Sequence, residues 1–156
     1  MCWPMAKQSL ARFLSRYIPL IAWLIVISVA SSNSFSASNT SLIIGPLVLW
    51  LFPNTTPDQL TTIHFLTRKL AHFTEYAILG LLAARAFRTS PNPSLNKRWF
   101  LISFVIIVLY ALIDEYHQSF VPSRTSSIGD SFIDMTGGLA ALLVLLTWRR
   151  SNETTE

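Results

Sequence analysis

The chain has 156 residues, 51% of them hydrophobic and only 13% charged, whereas a typical soluble domain is about 25% charged. Together with a mean hydropathy of +0.45 this excludes an ordinary water-soluble domain and points to a membrane as the solvent. The net charge of +4 does not indicate a nucleic-acid partner, because the Lys and Arg residues stand at the ends of apolar runs rather than on one continuous patch.

The first apolar run, Phe13 to Ala30, follows Lys7, Arg12 and Arg16 and predicts a first transmembrane helix. Ser28-Val29-Ala30 also resembles a small-residue cleavage site, so a cleaved signal peptide is the competing reading. Leu42 to Phe52 is apolar but only 11 residues long, or about 17 Å against a hydrocarbon core of about 30 Å. With Gly45-Pro46 inside it, it reads as a broken interfacial or re-entrant segment at the outer face. A long helix is then marked by Thr56 as N-cap, Pro57 at the first helical position and Gln59 completing a capping box. It is predicted from Pro57 to Arg88, where Pro91 and Pro93 enforce a break. The third span runs from Trp99 to about Phe120 and the fourth from Ile128 to Trp148, closed by Arg149 and Arg150. The expectation is an all-α, polytopic membrane protein of about four transmembrane helices: residues 1–30 as N-terminus and first helix, 31–148 as the membrane domain and 149–156 as a tail.

Orientation follows from basic residues near span ends. Nine of the twelve flank one side (Lys7, Arg12, Arg16, Arg85, Arg88, Lys97, Arg98, Arg149, Arg150), and Arg68, Lys69 and Arg124 flank the other. Both termini are therefore expected in the cytoplasm. Cys2 is the only cysteine, which rules out an intrachain disulfide and a cysteine-based zinc site.

The ionisable residues inside the apolar runs gather at one depth. Counting 1.5 Å per residue from the cytoplasmic ends puts Glu75 about 20 Å and His72 about 24 Å above Arg88, Asp114 about 22 Å above Trp99 and Asp134 about 21 Å above Trp148. His72 with Tyr76, Asp114 with Gln118, and Asp130 with Asp134 are each four apart and share a helix face. Glu75, Asp114, Glu115, Asp130 and Asp134 face Arg68, Lys69, Arg124 and His72 as available cations, with Arg124 placed to reach Asp114 or Asp130. A carboxylate at the membrane centre costs on the order of 3 kcal/mol and less near the boundary, so this layer needs partners or a wet pocket. The plain alternative is snorkelling to water, which suits Arg68, His64 and His117 better than the short acids. Gly80 with Ala84 and Gly137 with Ala141 read as helix-packing faces, and Trp99 and Trp148 as interfacial anchors.

At these positions the sequence resembles the VanZ-like family. Lys69, His72 and Tyr76 match its Lys-x-x-His-x-x-x-Tyr element, and Asp114, Glu115, Gln118 and Phe120 match its Asp-Glu-x-x-Gln-x-Phe element. Arg124, Asp130, Asp134 and Gly137-Gly138 follow in the family's order, with Pro122-Ser123 where the family often has Gly before the arginine. The resemblance covers about Ser31 to Leu146. It implies a multi-pass protein of the bacterial cell (inner) membrane with an envelope role connected to antibiotic resistance, namely susceptibility to the glycopeptide teicoplanin.

Three function classes follow. The favoured one is an outer-face polar pocket, formed by Lys69, His72, Glu75, Tyr76, Asp114, Glu115, Gln118, Arg124, Asp130 and Asp134, that binds a lipid head group or a lipid-linked or glycopeptide-type amphipathic ligand. The alternative is a membrane-embedded enzyme with an Asp or Glu as general base beside His72, although no nucleophile is evident. A metal-assisted variant is open as well, since these side chains offer nitrogen and oxygen donors without a recognised ligand spacing, and the cofactor is unassigned. A transporter or proton relay is disfavoured by the one-sided placement of the acids.

Overall fold

The computed structural model describes residues 3–32, 37–120 and 128–153, and the described residues fold as helices without strands. The elements are α1 (Trp3–Ala30), α2 (Ala37–Leu51), α3 (Pro57–Arg88), α4 (Pro93–Lys97), α5 (Trp99–Gln118) and α6 (Ile128–Glu153).

The capping box at the start of α3 forms as expected. Gln59 N–H donates to Thr56 Oγ1 at 3.3 Å, and Thr56 N–H donates to Gln59 Oε1 at 2.9 Å. The helix then runs without interruption to Arg88. Among the described residues three helical stretches are long and apolar enough to cross a membrane: Leu10–Ala30, Trp99–Gln118 and Gly129–Trp148. The protein is thus an all-α, multi-pass membrane protein. α3, at 32 residues, has the length to span but a lower hydropathy, because it carries Arg68, Lys69, His72 and Glu75 within its length.

Three elements depart from the sequence expectation. α2 continues through Gly45 and Pro46 as one helix of 15 residues rather than a broken segment. An interior proline removes one backbone hydrogen bond. In an apolar solvent, keeping all the others inside a helix outweighs that single loss. At 15 residues, or about 22 Å, α2 is still too short to cross. α4 was not anticipated; Asn92 accepts from Ser94 N–H at 2.9 Å and so caps a helix whose first residue is Pro93. α6 also extends past Trp148 to Glu153.

α3 is the hub. It packs against α1, α2, α5 and α6, and its interface with α6 is the most extensive. Glycines explain the closeness: a Cβ on Gly137 would stand 2.2 Å from the Phe73 carbonyl oxygen, and one on Gly80 would stand 2.8 Å from the Gly138 carbonyl oxygen. With no side chain between them the two backbones touch, as small residues permit in membrane bundles. Tyr76, Leu79, Ala83 and Ala84 of α3, Ile107 and Ala111 of α5 and Leu142 of α6 fill the centre. α1 is tied on by Trp23, whose indole N–H donates to the Glu75 carbonyl at 2.9 Å, and by Leu24, whose carbonyl accepts from Tyr110 Oη at 2.5 Å. Large apolar residues point outward along α1, α2, α5 and α6, the inversion of a soluble fold that lipid allows.

Candidate functional site

The polar side chains of α3, α5 and α6 meet at one end of the bundle. On α3 spacings of three and four residues turn Lys69, His72 and Tyr76 to the α6 side, and the second of these spacings recurs on the partner helices. On α6 the same spacing presents Asp130 and Asp134, and on α5 it presents Asp114 and Gln118.

Asp130, only 4% exposed at its side chain, forms an ion pair with Lys69, and Arg68 approaches its other oxygen at 3.7 Å. One turn deeper, His72 Nδ1 stands 3.2 Å from Asp134 Oδ1, with both side chains buried. Donor atoms of His72, Asp114 and Asp134 all lie within 4.8 Å of one another. Asp114 accepts from Gln118 Nε2 at 2.8 Å, and the same nitrogen approaches Ser31 Oγ at 3.5 Å. Ser131 Oγ donates to the Ala111 carbonyl at 3.4 Å and stitches α6 to α5 beside the cluster. Tyr76, fully buried, lies within electrostatic reach of Asp114 and Asp134, and its hydroxyl has no hydrogen-bond partner among the described residues. Gln118 Oε1 is likewise buried without a partner among them.

Seven of the ten expected site residues therefore assemble: Lys69 with Asp130, and His72, Tyr76, Asp114, Gln118 and Asp134 below them. Glu75 and Glu115 are half-buried at the same level but outside the close cluster. Arg124 lies outside the described residues. Arg68, for which snorkelling was an equal reading, turns instead to Asp130. The cluster is enclosed: His72, Asp114, Asp130 and Asp134 are each at most 6% exposed.

What is open lies beside it. A cleft of about 430 Å³ runs between α1 and α5, with Ile21, Leu24, Ile25 and Val29 along its length. Ser28, Ser32, Tyr110 and His117 supply its polar groups. Ser31, next to the polar end of this cleft, is the residue that approaches Gln118, so a chain of side chains leads from the cleft to Asp114. Sequence reasoning missed Ser28, Ser31 and Ser32. Their signal was present as hydroxyls spaced along the last turn of a span, but lateral neighbours are not written in a linear pattern.

The profile of the VanZ/LLP1 family matches residues 16–149, most of the chain. The chain belongs to the VanZ-like family. The two VanZ-like elements that carried the resemblance, around His72 on α3 and around Asp114 on α5, face each other across the site, and Asp134 closes it from α6. The VanZ-like match also takes in most of α1, which contributes Trp23, Ser28 and Ser31 to this end of the bundle. No curated protein and no solved structure gives a significant match.

Proposed function

We propose that this VanZ-like protein acts in the bacterial cell envelope by binding an amphipathic, lipid-linked ligand from the outer leaflet. The observation that supports this most is the α1–α5 cleft, apolar along Ile21, Leu24, Ile25 and Val29 and polar at Ser28, Ser32 and His117. An acyl chain suits the first part and a head group the second, which is the division a ligand site in a bilayer needs. The buried His72, Asp114 and Asp134 cluster, one side chain away through Gln118, holds α3, α5 and α6 in register behind the cleft. The excess of basic residues on the opposite ends of the spans supports a topology with both termini in the cytoplasm and this end outside. On this reading the protein alters susceptibility to a lipid-anchored glycopeptide such as teicoplanin by competing for, or sequestering, an amphipathic partner.

The test uses full-length protein in nanodiscs containing a phospholipid with a diazirine in its acyl chain. Crosslinks should concentrate on Ile21, Leu24, Ile25 and Val29, and Ile25→Trp, which fills the cleft, should remove most of them. Labelling spread evenly over every lipid-facing helix would sink the proposal. A second reading, a membrane-embedded acid/base enzyme, draws on the His72–Asp134 pair, which has the form of an imidazole oriented by a carboxylate. It ranks lower, because both groups are enclosed and, among the described residues, the side-chain partner of His72 is Asp134 rather than a hydroxyl it could activate.

A further inference from the structure

The His72, Asp114 and Asp134 cluster has a charge problem that its described neighbours do not solve. Lys69 and Arg68 are engaged by Asp130. Asp114 receives only the neutral amide of Gln118, and Asp134 only the imidazole of His72. Two carboxylates brought this close in a buried, membrane-embedded layer repel each other and lose hydration, and the second effect alone is severe. The packing nevertheless holds them there: Gly138 of α6 lies directly against Ile107 of α5, and Ser131 of α6 bonds to the Ala111 carbonyl of α5.

A divalent cation resolves this, and the geometry is suited to one. Ligand atoms held about 2.1 Å from a single ion lie about 3.0 to 3.4 Å apart in octahedral or tetrahedral arrangements. His72 Nδ1 and Asp134 Oδ1 are 3.2 Å apart, and donor atoms of all three residues fall within 4.8 Å of one another. A second observation is independent of the acids. The Tyr76 hydroxyl and Gln118 Oε1 are buried, polar and unpartnered, on the same side chains that border the cluster. Buried polar atoms are almost always satisfied, so orphans here mark a missing partner. A metal-bound water, or the ion itself, supplies what both lack.

We propose that His72, Asp114 and Asp134 bind one divalent transition-metal ion of the Zn2+ or Mn2+ class, with Tyr76 and Gln118 hydrogen-bonded to its remaining water ligand. The donor set selects the class. One imidazole nitrogen with two carboxylates suits Zn2+ and Mn2+, whereas Ca2+ takes six to eight oxygens and Mg2+ favours oxygen donors over an imidazole nitrogen. The three ligands come from three different helices, so the ion ties α3, α5 and α6 together at one point. The inference does not depend on the occupant of the α1–α5 cleft.

Full-length protein purified in detergent, stripped with chelator and then dialysed against Zn2+ or Mn2+, should retain about one equivalent by elemental analysis, and its thermal unfolding midpoint should rise reversibly. His72→Gln and Asp114→Asn should each weaken retention about tenfold or more, while Asp58→Asn, at an exposed position at the start of α3, should leave it unchanged. No retained metal in the wild type, or equal retention by His72→Gln, overturns the proposal. Should a variant not be recovered folded, Mn2+-loaded wild type decides alone: pulsed electron paramagnetic resonance should show nitrogen modulation from one imidazole, and its absence overturns the assignment.

Discussion

Asp130 is buried with two cations from α3 directed at it, and this pairing sets the energetics of the polar layer one turn above His72. Removing one partner of a buried pair leaves an uncompensated charge and costs about 3 kcal/mol or more. Lys69→Gln should therefore lower stability in a detergent unfolding titration by about 2 to 3 kcal/mol, softened by the remaining Arg68. The reversed pair, Lys69→Asp with Asp130→Lys, should recover part of the loss; no recovery would show that Lys69 acts through packing alone. Asp114→Asn and Asp134→Asn address function instead. They keep size and hydrogen-bonding capacity while removing ionisation. Membrane levels should stay near wild type while any effect on teicoplanin susceptibility disappears, and full retention of the effect would remove the cluster from the working site. Much of this layer was legible before any coordinates, because a fixed rise per residue measures depth along each helix separately, and three such measurements agreed. The choice among the cations was not: of those the sequence offered, Lys69 and Arg68 pair with Asp130, while Arg124, expected to reach Asp114 or Asp130, lies outside the described residues.

At the scale of elements, the α3–α6 contact depends on the absence of side chains. Gly137→Ala would put a methyl group 2.2 Å from the Phe73 carbonyl, backbone that has no rotamer to yield. The helices must separate, and such overpacking costs about 1 to 3 kcal/mol. Thr136→Ala, at the exposed neighbouring position, should cost less than about 0.5 kcal/mol in the same titration, and equal losses would refute the close-contact account. Gly80 and Gly137 were recognisable as packing faces from their spacing with Ala84 and Ala141. Their partners, Gly138 and the Phe73 carbonyl, were not, since the same stripe fits many neighbouring helices. The start of α3 was legible because local chemistry decides it at Thr56-Pro57, whereas the equally local cap at Asn92-Pro93 was read as a break. Gly45-Pro46 misled because local propensity was outweighed by the need to satisfy backbone groups in an apolar medium. The cleft between α1 and α5 was invisible for a simpler reason: it exists only between helices.

For the molecule as a whole, the charge bias predicts a single topology. With Cys2 replaced by Ser, a cysteine at Ser94 should resist a membrane-impermeant thiol reagent in intact cells, and one at Thr55 should react. Reaction at Ser94 alone would invert the protein and place the candidate site on the cytoplasmic side. The strongest interface joins residues far apart in the chain, Lys69 to Asp130 and His72 to Asp134, across 61 and 62 positions. Synthesis proceeds from the N-terminus, so α3 leaves the ribosome and meets the bilayer well before α6 has been translated. During that interval the least apolar of the long helices has no partner for its lysine or its histidine, and an insertion machinery or chaperone must shelter it. A chain stopped after Ser127 should therefore be degraded rapidly in pulse-chase labelling, and supplying residues 128–156 as a separate fragment should prolong its life. The last helix to be made is thus the one that decides whether the earlier ones are kept.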